Sequence, residues 1–323
     1  MLPLNPSNFD LASRMILPLN CFRAQVTAAI VLAMPPALLL VGCQRSSDLG
    51  PLADAARVPE IRKALGADAV EEGSVAAAPV GTGWATLRGV FKFDGEPPSM
   101  PPYKVDKDQL VCIVDGHAPP QEWLLVDSNT KGIANVALYL RNPARVHESA
   151  QTLEEPHIFD QKDCVFLPHV KGLLVDHPVI VKNSDPPPVG HNTNIEGRNK
   201  FNQTIPPGEQ VTWMARRDEA APVSVRCSIH SWMIAYILPR PDLYFAVSGE
   251  DGTFEIPNLP AGEPLEFQVW HESATGARGA LVVDTASAKE VGWNNRGRFT
   301  VILNEDEVRE IEIVVPAGAF RSS

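Results

Sequence analysis

Cys227, His230 and Met233 fall at i, i+3 and i+6 in the run Cys227-Ser228-Ile229-His230-Ser231-Trp232-Met233. A thiolate, an imidazole and a thioether on one short loop can curl around a single soft cation. A second imidazole is needed, and His191 is the candidate, directly after Asn183-Ser184-Asp185-Pro186-Pro187-Pro188-Val189-Gly190. Two His, one Cys and a weak, long Met contact make a donor set that suits one copper ion in a type 1 (blue) site. Gly190 is the candidate for a further weak carbonyl contact opposite Met233. Plainer readings stand beside this one. Cys227 is also what a small buried hydrophobe looks like, and Met233 what core looks like. Zinc takes the thiolate and the imidazoles but prefers harder companions than a thioether.

Such ligands must be held by rigid elements. Val223, Val225 and Cys227 share one face of a period-two pattern, so the cysteine ends a strand and Met233 opens the next. The same alternation marks strands at Leu87–Phe93, Trp123–Val126, 136–140, Pro178–Lys182, Gln210–Met214, Val223–Cys227, Met233–Leu238, Tyr244–Val247, Thr253–Ile256, Leu265–Trp270 and Val308–Val315. The 323 residues carry 30 prolines, which argues against long helices. The expected fold is therefore all-β, a β-sandwich with a second, smaller sandwich. Apolar residues at 44% and charged residues at 21% permit proper cores and exclude wholesale disorder. A net charge of −11 repels phosphate backbones, so no nucleic-acid partner is expected. The chain has no glycine-rich phosphate loop, no His-Glu-x-x-His, no Cys-x-x-Cys and no nucleophile elbow. No catalytic residues are expected, and the chain is not read as an enzyme.

The ligand loop resembles that of the cupredoxins, in the short Cys-x2-His-x2-Met form found in amicyanin and related to plastocyanin. Trp232 before the methionine, the Gly190-His191-Asn192 triplet, and the stretches Phe166-Leu167-Pro168 and Val179-Ile180-Val181-Lys182-Asn183 belong to the same resemblance. It covers about residues 160–240. It implies a Greek-key sandwich holding one copper through His191, Cys227, His230 and Met233, and a role in electron transfer. It also implies that Asn192 and Ser228 pin the two ligand loops together, and that the partner is a redox protein such as a cytochrome or an oxidoreductase. The ring edge of His230 is expected at the surface, with Ile229 and Trp232 around it as an apolar docking patch. The proline run before His191 and the short interval to Cys227 depart from the pattern. No His-x-His or His-Cys-His run suggests a second copper centre.

Residues 245–263, with Glu250-Asp251-Gly252 and Pro260-Ala261-Gly262, resemble the carboxypeptidase-regulatory-like sandwiches, also met as carbohydrate-binding-like folds. The expected domains are 83–242 for copper and 243–318 for this second sandwich. Residues 83–142 fit the opening half of the second module equally well, which would make the copper domain an insertion. A second functional reading follows: an envelope lipoprotein that binds polysaccharide or protein, with Trp270 and Trp293 as candidate contacts, or one that stores or delivers copper.

Residues 1–43 read as an export signal ending in Leu40-Val41-Gly42-Cys43, which resembles a bacterial lipobox with Cys43 as the lipidated residue; the start is either Met1 or Met15. Residues 44–82 read as a tether with one short helix at Pro59–Leu65. The expected location is extracytoplasmic and membrane-anchored through lipid. Cys21 would leave with the signal, and Cys112 and Cys164 would be left to form a disulfide. Two free thiols remain the alternative. His169 is placed near the site or on an ordinary strand, His271 at a polar surface or in a satisfied pair, and the other histidines receive no role.

Overall fold

The computed structural model describes residues 81–321. The signal with Cys21 and Cys43, and the tether up to residue 80 with its Pro59–Leu65 helix, lie outside the described residues. The described residues fall within one compact unit. Their strands are β1 (Trp84–Asp94), β2 (Ala137–Leu140), β3 (His157–Lys162), β4 (Val165–Leu167), β5 (Val170–Leu174), β6 (Pro178–Asn183), β7 (His191–Ile195) and β8 (Phe201–Ile205). They continue with β9 (Gln210–Met214), β10 (Val223–Arg226), β11 (Ile234–Arg240), β12 (Phe245–Val247), β13 (Thr253–Pro260), β14 (Pro264–Trp270), β15 (Arg298–Ile302) and β16 (Val308–Pro316). The α-helices among them are short: α1 (Gln109–Cys112) and α2 (Ala286–Glu290). None is long and apolar enough to cross a membrane.

The protein is an all-β sandwich structure. Sheets β4-β3-β6-β9 and β5-β11-β10-β7-β8 share one core, with Phe159, Phe166, Val179, Val181, Val225 and Ile237 at its centre. Sheets β13-β1-β16 and β12-β2-β14-β15 share another, built on Leu87, Phe91, Leu138, Phe267, Phe299 and Ile313. The alternation that builds these layers is plain in β16. Ile311, Ile313 and Val315 point inward, while Glu310 and Glu312 point outward to pair with Arg88 and Lys92 of the parallel neighbour β1.

In chain order, β3 to β11 all lie between β2 and β12, and β2 and β12 pair directly, with Tyr139 opposite Phe245. A small cluster of Tyr139, Val170, Leu238 and Trp270 joins the two sandwiches. Tyr139 Oη donates to Ala220 O at 2.8 Å, and Arg240 Nη2 donates to Leu140 O at 2.9 Å while its guanidinium lies over the Tyr139 ring. Gly172 on β5 sits so close to Phe245 that a Cβ there would lie 2.0 Å from the ring. The expected strand at Trp123–Val126 does not form. Only Val126 bridges, to Ile133, because Trp123 and Leu124 lie in a turn. Trp270 and Trp293 are both buried, each with its indole N–H on a backbone carbonyl.

Candidate metal centre

Two neighbouring strands inside one sheet bring the site together. β7 and β10 pair antiparallel with Ile195 opposite Val225 and Asn194 opposite Arg226. Following that register toward the start of β7 carries Asn192 and His191 to the end where Cys227 leaves β10. The loop between β10 and β11 then folds back on itself. Met233 N donates to His230 O at 3.0 Å, and Cys227 N donates to Met233 O at 3.3 Å. The seven residues Cys227 to Met233 are thereby closed into two tight turns.

His191, Cys227 and His230 meet in the interior. Both histidines have no exposed surface. Their Nδ1 atoms lie 3.0 Å apart, and Cys227 Sγ lies 3.9 Å from His230 Nδ1. The three ligand atoms all fall within 4.8 Å of one another, the spacing a single cation requires. Met233 is buried and packs in the same core as Cys227 and Trp232. Gly190 directly precedes β7, and a Cβ there would meet nothing closer than 3.6 Å, so backbone packing does not demand glycine. Ser228 N donates to Asn192 Oδ1 at 3.3 Å, and Asn192 Nδ2 donates to Asn202 Oδ1 at 2.8 Å, linking the β7 and β10 loops to β8.

The electrostatics prepare a thiolate. Burial pushes the Cys227 thiol up, but His191 and His230 beside it and two backbone N–H groups outweigh burial and bring it down to about 5. Those groups are Asn192 N at 3.3 Å and His230 N at 3.4 Å from Sγ. Burial also works against a charged His191, yet the Asp185 carboxylate, whose Oδ2 is 2.6 Å from Nε2, and the Cys227 sulfur hold that imidazole above its ordinary range. Asp185 itself is buried. Against that desolvation, the His191 bond and the N–H groups of Cys164 (3.0 Å) and Asp163 (2.5 Å) keep its carboxyl below the usual value. This donor set, a thiolate and two imidazoles turned inward through Nδ1 with a buried thioether on the same loop, fits a copper ion.

The outer face of the site differs from expectation. The His230 ring edge is not at the surface. Its Nε2 lies 2.8 Å from Asp108 Oδ2, on the residue preceding α1. Trp232 is buried too, its indole N–H donating to Cys164 O at 3.1 Å, so the expected apolar docking patch is absent. Cys112 of α1 and Cys164 between β3 and β4 form a disulfide, and a ring nitrogen of His230 lies within 4.8 Å of both sulfurs. Cys227 is the free cysteine among the described residues.

Asp108 and Asp185 were not visible as site residues from sequence. Asp185 stands six positions before His191 in a proline-rich turn, a spacing that is suggestive only once the turn is known. Asp108 is 122 positions from His230, and nothing local signals it. Two further histidines are buried away from the site. His169 lies between Glu122 and Glu272, which outweigh its burial and raise it to about 9. His271 is fully enclosed, not at a polar surface, and burial lowers it to about 4.

No family model matches the chain, and no curated protein matches it. Solved structures similar to part of it include a Cu-containing nitrite reductase from Thermus scotoductus, 22% identical over 31% of this chain and 25% of that one, TM-score 0.25. A purple cupredoxin from Nitrosopumilus maritimus is 16% identical over 26% of this chain and 99% of that one, TM-score 0.23. A reduced Cu(I) amicyanin variant is 12% identical over 32% of this chain and 98% of that one, TM-score 0.24. The chain thus spans a quarter of the nitrite reductase it matches. At these scores the likeness assigns no ligand and no activity to this chain, whose site stands on its own geometry.

Proposed function

We propose that this chain is a mononuclear copper protein for electron transfer, exported and held at a membrane by lipid on Cys43. The observation that carries it is the buried meeting of His191 Nδ1, Cys227 Sγ and His230 Nδ1, with the thiol brought down to about 5. Copper bound there would supply one-electron chemistry between Cu(I) and Cu(II). The residues do the rest. Cys227 offers sulfur already ionised at neutral pH. His191 and His230 are held in one tautomer by carboxylates on their outer nitrogens. The sandwich keeps the donors from rearranging between oxidation states. Met233, buried on the ligand loop, would add a weak thioether donor to a copper held there, and Gly190 would add its carbonyl. The reading is of a carrier whose partner is a redox protein. We also read the copper sandwich as inserted in the second one, since the pairing of β2 with β12 brackets it.

The test is one visible spectrum. Copper-loaded, oxidised protein should show an intense thiolate-to-copper band, which Cys227→Ser abolishes. A colourless loaded protein overturns the reading. The alternative of glycan binding through Trp270 and Trp293 finds no support, because Trp293 is packed inside the second core and Trp270 in the cluster that joins the two sandwiches, both buried.

A further inference from the structure

We propose that residues 101–121 form a cover over the imidazole edge of His230, in which Asp108 positions the ring for electron exchange and the Cys112–Cys164 bridge is the latch. This deepens the copper reading and rests on it.

The cover is a closed unit. Gln121 N donates to Pro101 O at 2.9 Å and Tyr103 N donates to Pro119 O at 2.8 Å, so its two ends are stapled together. Its inner face carries Val105 and Cys112, with Tyr103, Val111, Ile113 and Ala118 partly buried, all against the core that holds Cys227. Three ties fasten it to the site. Cys112 is bonded to Cys164, whose carbonyl receives Trp232 of the ligand loop. Lys107 Nζ donates to Ile229 O at 3.1 Å, next to His230 in the chain. Asp108 Oδ2 meets His230 Nε2 at 2.8 Å.

Asp108 is the informative residue. It precedes α1, where an aspartate ordinarily turns its carboxylate back onto the helix N–H groups. Here the side chain makes no such cap, and the backbone sits in the left-handed region with φ 47°. Both departures direct the carboxylate at His230 instead. A carboxylate on the outer nitrogen makes the imidazole a stronger donor and favours the more highly charged state of a bound metal. The ring is also left with no exposed surface, so a redox partner meets the cover rather than the histidine.

The experiment uses the full chain in three forms: wild type, Asp108→Ala or Asp108→Asn, and Cys112→Ser with Cys164→Ser. Metal-free protein is treated with diethyl pyrocarbonate, and modification of His230 is followed by mass spectrometry. Copper-loaded protein is measured for midpoint potential and for oxidation by hexacyanoferrate(III). Asp108→Ala should raise the potential and speed both reactions by about tenfold, as should the latch variant for the two rates. Asp108→Asn, which keeps an acceptor but not the charge, should raise the potential with little change in rate. Equal modification rates in all forms, or a potential unmoved in both Asp108 variants, overturn the cover. Absence of the copper band in wild type overturns the copper reading instead, and the modification rates then decide the cover alone. Should the latch variant fail to fold, the Asp108 pair carries the test.

Discussion

One end of the sandwich built from β3 to β11 gathers polar groups that the other sandwich scatters. Gln161, Asn183, Asp185, His191, Asn192, Thr193 and His230 are all buried around Cys227. They bond to one another: Gln161 accepts from Thr193, Asn183 accepts from Asp185 N, and Asp185 meets His191. The sandwich of β1, β2 and β12–β16 also buries polar side chains, but several of them serve backbone carbonyls. Ser248 Oγ donates to Ile133 O, and Gln268 Nε2 donates to the carbonyls of Arg296 and Gly297. Burying such groups is unfavourable unless every one is satisfied. A convergent network at one point therefore marks a site, while dispersed single bonds mark a scaffold.

Breaking the network should show first in the metal. Cys227→Ser is expected to abolish the charge-transfer band and reduce copper affinity by more than any other single change, measured by titration against a competing chelator. Truncating the scaffold should instead lower stability. Leu87→Ala, at a fully buried position, should cost about 2–5 kcal/mol in urea unfolding while leaving the band of the folded fraction unchanged. Asp185→Asn should weaken metal binding by roughly 10–100-fold, because the outer partner of a ligating histidine orients it and raises its basicity.

The pH dependence separates the two regions by sign. His169, held between Glu122 and Glu272, has a folded value of about 9, above the unfolded 6.5. Its stabilisation is fully present below 6.5 and is lost as pH rises through 9. His271, enclosed in the second sandwich, has a folded value of about 4. Its stabilisation is present above 6.5 and is lost as pH falls toward 4. Urea unfolding from pH 4.5 to 9.5 should decline at both ends, by about 1.4 kcal/mol at most per unit of pKa difference. Glu272→Gln should flatten the alkaline limb, His271→Gln the acid one. The smallest effect is expected for Asn192→Ala, about 1 kcal/mol, from releasing the tie to Ser228 N.

Where apolar alternation was strong, strands were legible. Gln210–Met214 is β9 as read, and β1, β6, β10, β11, β14 and β16 differ from expectation by a few residues at their ends. The strand β8 (Phe-Asn-Gln-Thr-Ile) buries only Phe201 and Ile205 at its ends and exposes the polar residues between them, while β7 (His-Asn-Thr-Asn-Ile) carries little alternation because its buried positions hold the polar network rather than aliphatic core. Period-two reading fails there for the same reason the site exists. Trp123–Val126 misled in the other direction, since its apolar residues fill the second core from a turn.

The spacing of Cys227, His230 and Met233 was decided by the chain itself, since a loop of seven residues between two strands leaves its donors nowhere to go but around one point. Local chemistry of that kind needs no knowledge of the rest of the molecule. Only the tertiary structure decided that His191 lies opposite, that Asp185 and Asp108 stand behind the two rings, and that a disulfide-latched segment closes the outer edge. Those contacts span 6 to 122 residues. They depend on strand register and on where a distant loop is stapled, and neither quantity leaves a periodic trace in sequence.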